Sequence, residues 1–283
     1  MPITLRWSSA TTLPVDAQGL LPETLAGLSA AEVARRPIRL GNGLAEVGDL
    51  FEVAGDLAEG HLTLEGDLRR VRRIGAGMES GLLTIRGDAG MHLGAGMAGG
   101  TIEVEGSVAA GAAVGMRGGT LRIRGAAGDD LGGAEPGARV GMREGVILVD
   151  GSIGDGAGLA MRRGVIAVAG RAGADLGRDM IAGSIFAFGP IGPRAGAGMK
   201  RGTLAFFGLE SDGDGPGHWP PTFRPSGRYR PPIATVYLRQ LRDWGFPVPA
   251  HAFAGTFRRY NGDLNERGRA EIWAWTAVED DGR

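Results

Sequence analysis

The stretch GAGMAGGTIEVEG, residues 94–106, decides how this chain folds. Gly94, Gly96 and Gly99 have the spacing of a dinucleotide-binding fingerprint, which is informative when it occurs once, between a buried strand and a helix. Here no helix-length segment follows, and the same pattern recurs along the chain. We therefore interpret these glycines as turns of an internal repeat and not as a phosphate-binding loop.

Methionines mark the repeat. Seven of them are separated by 19, 19, 26, 19, 19 and 19 residues, and each is followed three residues later by a glycine. Because a thioether side chain is flexible enough to fill an irregular corner, we expect these methionines to form a buried structural ladder. Its members are Met78, Met97, Met116, Met142, Met161, Met180 and Met199.

Between the paired glycines, each repeat carries a five-residue segment whose second and fourth residues are apolar, as with Ile102 and Val104. This alternation is typical of a strand with one buried face. A strand every 19 residues leaves no room for a crossover helix, so each coil must return to lie beside its predecessor. The pattern predicts a sheet-dominated fold, a parallel β-helix with coils of about 19 residues, right-handed as parallel crossovers nearly always are.

The outward positions of these strands change character along the chain. Early coils alternate in sign, as in Arg86, Glu105, Arg124 and Asp150, so that stacked side chains can form ion pairs. Later coils present apolar side chains, and an apolar face of this kind needs a cover. Either the C-terminal segment of the chain or a partner subunit supplies it. The candidate interface residues on this face are Leu148, Phe186, Phe188 and Phe207.

Seven extra residues between Met116 and Met142 include GDDLGGAEPG, residues 128–137. The glycines and proline predict a projecting loop. Its Asp129 and Asp130 are further candidate interface residues, because insertions in solenoids collect on a functional face; cation binding by the same carboxylates is the alternative.

The two ends of the chain depart from the repeat. Ser29 and Glu32 have capping-box spacing and Pro37 follows, which predicts a short helical cap. We therefore divide the chain into a cap at 1–37, the coils at 38–210, and a C-terminal linker, helix and strand at 211–283. The helix is expected at 233–244 and amphipathic, with its apolar residues facing the Phe-rich side. Those residues are Ile233, Val236, Tyr237, Leu241 and Trp244.

Composition restricts the function. A net charge of −1 provides no field that would attract nucleic acid or a membrane. The chain has no cysteine, no signal-like start and no membrane-length apolar run, so the cytoplasm is the expected compartment. The four histidines lack metal-ligand spacing with one another. We expect no catalytic, cofactor-binding or metal-binding residue on this chain.

The repeated GxGMxxGxIxVxG pattern, the entry GNGLAEVGDLFEVAG and the ending FRRYNGDLNERGRAEIWAW together resemble the C subunit of formylmethanofuran dehydrogenase and the corresponding subunit of the bacterial formyltransferase/hydrolase complex. The same glycine repeat is similar to the C-terminal domain of glutamate synthase. The likeness runs from about residue 38 to residue 275. The combination of motifs is specific, although no single coil is.

The resemblance implies a non-catalytic scaffold subunit in one-carbon metabolism. In the methylotroph complex, which serves formaldehyde oxidation, formyl passes from tetrahydromethanopterin to a methanofuran-type carrier and is hydrolysed to formate. The implied partners are amidohydrolase-like, formyltransferase and pterin-enzyme-like chains. Zinc, or tungsten or molybdenum pterin in the redox relative, would be held by a partner. The arginine-rich composition, with Lys200 the only lysine, favours the bacterial complex. A separate glutamate-synthase-type domain and an independent polysaccharide-cleaving enzyme are the competing interpretations.

Overall fold

The computed structural model describes residues 3–55, 60–208 and 218–276. Its three α-helices are short, apart from the last: α1 Pro22–Leu25, α2 Ala30–Ala34 and α3 Pro232–Asp243. Three 3₁₀ turns lie at Val47–Asp49, Ala250–Phe253 and Leu264–Glu266. The strands are β1 Ile3–Trp7, β2 Val15–Asp16, β3 Pro37–Leu40, β4 Gly43–Glu46, β5 Phe51–Ala54, β6 His61–Glu65, β7 Val71–Arg72, β8 Leu82–Arg86, β9 Thr101–Val104, β10 Thr120–Ile123, β11 Val146–Val149, β12 Val165–Val168, β13 Ser184–Ala187, β14 Arg201–Phe206, β15 Arg224–Tyr229, β16 Thr256–Gly262 and β17 Arg269–Thr276.

Most of these strands belong to one sheet of 13 strands, so the prediction of a sheet-dominated fold is confirmed. From β6 to β14 its neighbours are parallel and, with the short β7 left aside, follow chain order. Pairing joins equivalent repeat positions, as Leu83 with Ile102 and Ile166 with Ile185. The alternate residues Ile102 and Val104 are buried, which is the inward face that the periodicity predicts.

A second line of contacts runs parallel to this sheet. Single parallel bridges join one residue per repeat to its equivalents in the neighbouring repeats. Their small and β-branched side chains are buried, so they form another inner wall of the stack. The column contains Leu68, Ala89, Val108, Ala127, Ile153, Ala172 and Ile191.

The methionines occupy a third line, and all seven ladder side chains have no exposed surface. The geometry explains why each is followed by glycine. A Cβ atom placed on Gly164 would lie 2.6 Å from the Met142 methyl carbon, and one placed on Gly183 would lie 2.9 Å from that of Met161. In five of the six steps from one ladder methionine to the next, the methionine methyl therefore fills the space that a side chain on the next glycine would need; at the sixth, Gly119, the nearest atoms belong to the backbone.

The N-terminal end contains the expected capping box and, in addition, a strand of the main sheet. The capping box is present, since the Ser29 hydroxyl accepts a hydrogen bond from the Glu32 backbone N–H and the Glu32 carboxylate accepts one from the Ser29 N–H. However, β1 is a strand of the main sheet, parallel to β6 and antiparallel to β5. The short sequence of β1 has none of the glycines that mark the repeat, and for this reason its place in the sheet was not predicted.

The C-terminal end extends the same sheet. β17 pairs in parallel with β14, and β16 and β15 follow as antiparallel strands. The proline- and glycine-rich segment before α3 contains β15, whose proline and bulge at Pro225 fit an edge strand. Residues 209–217 of that segment lie outside the described residues.

Candidate docking surfaces

The outward apolar face of the later coils is covered by the C-terminal segment of the same chain. Leu148, Phe186 and Phe207 are 1%, 1% and 4% exposed. They belong to one apolar cluster with residues of α3 and the turn after it. As candidate interface residues they are therefore not open to a partner. The sequence left two possible covers for this apolar face, and the structure shows the C-terminal segment of the same chain packed on it. The cluster partners from this segment are Ala234, Leu238, Leu241, Phe246 and Val248.

Aromatic packing fixes the helix on this face. The Phe186 ring lies 5.0 Å from that of Tyr237 on α3. Phe188, the remaining candidate of this group, is half-buried. Its ring stacks on Phe207 at 4.5 Å and lies tilted 5.3 Å from Phe246. Each aromatic contact of this kind contributes about 0.5–1.5 kcal/mol beyond the free energy of burying its apolar area. These ring contacts therefore hold α3 and the turn after it against the strands.

A buried ion pair fixes the other end of α3. Arg122, on the strand β10, is 5% exposed. Its Nη2 donates to both carboxylate oxygens of Asp150 and, at 3.1 Å, to the backbone carbonyl of Gly245. Its guanidinium also lies 5.8 Å from the Phe246 ring centre. Positive charge is favourable at this position, because carbonyl groups are unpaired at a helix C-terminus.

The helix faces the sheet with only part of the predicted set: Tyr237 contacts Phe186 and Leu241 is buried, whereas the other three predicted residues are exposed. Ala234, Leu238 and Leu241 are buried, of which only Leu241 belongs to the predicted apolar face. Ile233, Val236 and Trp244 are 48%, 58% and 39% exposed. These three residues follow one side of the helix at spacings of three and eight residues, and we call them the outer row. The outer row is an exposed apolar strip on a rigid element.

The insertion projects at the rim of a cleft of about 210 Å³, with Arg117, Glu135 and Arg143 on its wall. Asp129 and Asp130 are exposed. The Asp129 carboxylate accepts the backbone N–H of Asp155 at 2.8 Å, which ties the loop to the next coil. Partial burial, with a smaller effect from the Asp129 charge, raises the pKa of Asp130 above its usual range.

Arginines of the terminal hairpin are partly engaged within the chain. Arg259 forms an ion pair with Glu271, whose other oxygen accepts the Trp273 indole N–H at 2.9 Å. The Arg259 guanidinium also lies 5.7 Å from the Tyr229 ring centre. This cluster stabilises the β15–β17 edge, and no signal in the sequence paired these residues.

The described part of the chain contains no group of three or more His, Asp or Glu side chains placed to hold a metal ion. The histidines lie apart: His61 meets Thr84 at 3.1 Å, while His218 and His251 lie against Trp219 and Trp275. Among the described residues, no helix has the length and apolar character needed to cross a membrane. No nucleophile, base and orienting group converge at any position described above.

Stacked parallel strands, a row of buried methionines and a helix packed over the outer face define a sheet-dominated glycine-repeat protein. No family model matches the chain. A chain of the formyltransferase/hydrolase complex (FhcABCD) from Methylorubrum extorquens, solved with methylofuran, is 35% identical with a TM-score of 0.85, and the match covers 96% of this chain and 99% of that one. The chain belongs to the family formed by this chain of the complex and the C subunits of formylmethanofuran dehydrogenases.

Curated relatives match a shorter stretch. The C subunit of the tungsten-containing formylmethanofuran dehydrogenase 2 of Methanothermobacter wolfeii is 35% identical over 85 residues, 29% of this chain and 32% of its own length. The C subunit of the molybdenum-containing formylmethanofuran dehydrogenase 1 of Methanothermobacter marburgensis is 38% identical over 82 residues, 29% of this chain and 20% of its own length. The matched stretch thus spans a third or less of these two relatives.

Proposed function

We propose that this chain is the scaffold subunit of a formyltransferase/hydrolase complex in one-carbon metabolism. The observation that carries the proposal is the match, over nearly the whole of both chains, to a chain of the FhcABCD complex. In this proposal, formyl is transferred from formyl-tetrahydromethanopterin to a methanofuran-type carrier and hydrolysed to formate on other subunits. Those subunits would be formyltransferase, amidohydrolase-like and pterin-enzyme-like chains, with zinc in a partner.

A second candidate is the C subunit of a redox formylmethanofuran dehydrogenase. The curated relatives named above favour it, because both belong to tungsten- or molybdenum-containing enzymes. The two candidates differ in the metal of the assembly and in its reaction, but assign the same scaffold role to this chain.

We also propose that the coils close into a right-handed parallel β-helix. Three lines of stacked contacts support it: the strands of the main sheet, the column of single bridges and the methionine corner. We keep 1–37, 38–210 and 211–283 as the three parts of the chain, with β1 contributing a strand of the first part to the main sheet. Such a stack is a rigid platform, since every coil is bonded to both neighbours.

The outer row of α3 is the surface that we assign to a partner subunit. Ile233, Val236 and Trp244 are exposed on a helix whose opposite side is fixed by Phe186, Phe207 and Arg122. Large apolar side chains presented on a rigid element are the residues that interfaces bury at their centre. The covered aromatic face then acts indirectly, by holding this helix in position.

Affinity purification of the tagged chain from its native cells tests the proposal. We expect stoichiometric co-elution of a formyltransferase and an amidohydrolase-like chain with zinc and without tungsten or molybdenum; bound tungsten or molybdenum would establish the second candidate. Elution of the wild-type chain alone would contradict both.

The role of the outer row is tested by Val236→Glu, with Leu44→Glu as the matched control at another exposed apolar position. We expect Val236→Glu to lose at least one partner chain and Leu44→Glu to retain all of them. Equal retention by the two variants would remove α3 from the interface.

A further inference from the structure

The residue that follows each ladder methionine forms a column on the outside of the corner. The backbone N–H of Arg117 donates to the carbonyl of Met97 at 2.7 Å, and the N–H of Arg143 donates to that of Met116 at the same distance. The equivalent bonds run from Arg162 to Met142, from Ile181 to Met161 and from Lys200 to Met180, at 2.7, 2.7 and 2.8 Å. The column begins with Glu79 and Ala98, and its next three members, one per coil, are arginines whose backbones stack directly on one another.

The next residue along the chain forms a second column, in which Arg163 and Arg201 are basic and Glu144 is acidic. We define the basic ridge as the six basic side chains of the two columns, together with the acidic Glu144. All seven residues are exposed. Among the described residues, none of the six bases forms an ion pair; Arg117 Nε donates only to the Gly96 carbonyl, at 3.3 Å. The six bases are Arg117, Arg143, Arg162, Arg163, Lys200 and Arg201.

A different arrangement appears on the outward side of the strands, in the repeats of β6 to β11. There Arg86 lies between Glu65 and Glu105, at 2.8 and 3.8 Å, and Arg124 meets Asp150 at 3.1 Å. Like charges on directly opposed positions of neighbouring strands are destabilising, and strands lie about 4.8 Å apart. On the ridge, by contrast, Arg117, Arg143 and Arg162 follow one another with no acidic residue between them in their column, so the carboxylates of a partner would relieve their mutual repulsion.

Of the acidic groups of the chain near the ridge, Glu135 lies on the wall of the same cleft as Arg117 and Arg143, and two others are committed to other partners. Asp263 lies beyond Lys200 in the same column, but its two carboxylate oxygens accept the backbone N–H groups of Gly198 and Asn265. Asp179, which precedes Met180, lies 3.7 Å from Arg178. With Glu144 included, the ridge carries a formal charge of +5. Among the described residues, no acidic side chain forms an ion pair with Arg162, Arg163, Lys200 or Arg201, so these four bases are available to a partner.

We propose that the basic ridge binds an acidic surface of a partner subunit, through carboxylates spaced to match the coils. This inference rests on the proposed scaffold function and adds a specific site to it. Guanidinium groups pair with carboxylates through two parallel hydrogen bonds, which gives direction as well as attraction. The whole chain has a charge of −1, so removing the ridge's +5 leaves −6. A nucleic acid longer than the ridge would be repelled by the negative charge on the rest of the chain. A small acidic patch on a protein would contact the ridge alone and would not be repelled.

The position of Lys200 allows a direct test, because it is the only lysine of the chain. A zero-length carbodiimide reagent joins an amine to a carboxylate that it touches. In the purified complex, we expect a cross-linked peptide that joins Lys200 to an Asp or Glu of another subunit. In Lys200→Arg, which keeps the charge, this peptide should disappear while the other cross-links of the complex remain.

Charge removal tests the ridge by a second route. The variant Arg143→Gln/Arg162→Gln/Arg163→Gln is matched to Arg35→Gln/Arg36→Gln/Arg39→Gln, which removes the same charge from exposed positions at the other end of the chain. We expect the ridge variant to bind its acidic partner about tenfold more weakly or worse, with reduced salt dependence, and the control to behave as wild type.

The outcomes separate the two proposals. If the wild-type chain retains no partner at all, the scaffold function itself fails. If the wild-type complex assembles but Lys200 forms no intersubunit cross-link and the ridge variant is retained like its control, the scaffold function stands and the ridge is not a docking site. Cross-linking of Lys200 to nucleic acid-associated proteins only, with loss on nuclease treatment, would also overturn the proposal.

Discussion

Arg122 and Asp150 form a buried ion pair in which a single nitrogen, Nη2, donates to both carboxylate oxygens at 2.6 and 2.7 Å. The Nε and Nη1 atoms of Arg122 are buried without a hydrogen-bond partner. Asp150 has a second base, Arg124, at 3.1 Å. Loss of Asp150 would therefore leave Arg122 buried without an ion-pair partner, whereas loss of Arg122 would leave Asp150 paired with Arg124.

This asymmetry makes a prediction about stability. Asp150→Ala leaves a buried guanidinium without its carboxylate and should lower the free energy of unfolding by about 3–5 kcal/mol. Arg122→Met keeps an apolar stem next to Phe246, leaves Asp150 with Arg124, and should cost less than about 1 kcal/mol. Denaturant unfolding of the two variants measures the difference; equal losses would show that the pair is not organised in this way.

The covered aromatic face predicts that α3 can be loosened without disturbing the coils. Phe186 and Ile185 are neighbours on β13, but Phe186 packs under α3 and Ile185 points into the stack. Phe186→Ala should remove about 3–5 kcal/mol of packing from the helix contact. We expect faster amide hydrogen exchange in α3, with β12 and β13 remaining protected.

Ile185→Ala is the matched comparison, because it changes the adjacent residue of the same strand. Ile185→Ala should lower the free energy of unfolding by about 2–5 kcal/mol. Because Ile185 packs inside the stack, amide hydrogen exchange should increase in β12 and β13. If Phe186→Ala exposed those strands as well, the inner and outer faces would be assigned wrongly.

The repeat was readable from the sequence because glycine and apolar alternation fix each strand in turn. Leu83 and Ile85, for example, are both buried as their spacing predicts. The orientation of α3 was not readable, since apolar side chains such as Val236 and Leu238 occur on both of its sides. The packing of α3 against Phe186, Phe188 and Phe207 decides that Leu238 is buried and Val236 is exposed.

The basic ridge could not be recognised from the sequence alone, because its residues come together only when the repeats stack. Arg117, Arg143 and Arg162 lie 26 and 19 residues apart and look like isolated surface charges. Their proximity follows from the corner hydrogen bonds, which connect equivalent positions across the insertion. The burial of Arg122 likewise depends on the turn at Gly245, more than a hundred residues away in the chain.

Glu65 predicts how acid weakens the first coils. Its carboxylate accepts from Arg86 at 2.8 Å and from Arg6 at 3.2 Å, and these bonds, that of Arg86 first, lower its pKa below the usual 4.5. A carboxylate with a lowered folded-state pKa stabilises the fold above its unfolded pKa, and this contribution is lost as the pH falls through the folded value.

We therefore expect the wild-type protein to melt at a higher temperature than Glu65→Gln at neutral pH, with the difference shrinking below about pH 4.5. Glu103→Gln, on the strand β9 two coils further along, is the control because Glu103 forms no ion pair among the described residues. Thermal melts over a pH series measure the effect. A difference between wild type and Glu65→Gln that does not change with pH would assign the role of Glu65 to packing.

The methionine corner supplies the last prediction. Gly164 has φ +105°, and a Cβ atom there would lie 2.6 Å from the Met142 methyl carbon and 2.7 Å from the Gly145 carbonyl oxygen. Gly164→Ala should cost about 1–3 kcal/mol for the backbone conformation alone, and more for the two contacts. The control is Gly137→Ala, where φ is +84° but nothing lies within 4 Å of the added atom.

A double-mutant cycle then separates the two contacts. The methionine methyl can be removed by Met142→Ala, at a cost of about 2–5 kcal/mol for the cavity, but the carbonyl of Gly145 belongs to the backbone of the preceding coil and stays. Because one of the two close contacts remains, we expect the double variant to lose less than the sum of the two single costs by only about 0.5–1 kcal/mol in denaturant unfolding. If Met142→Ala instead relieved most of the cost of Gly164→Ala, the thioether alone would impose glycine at this corner, and the close approach of successive coils would not.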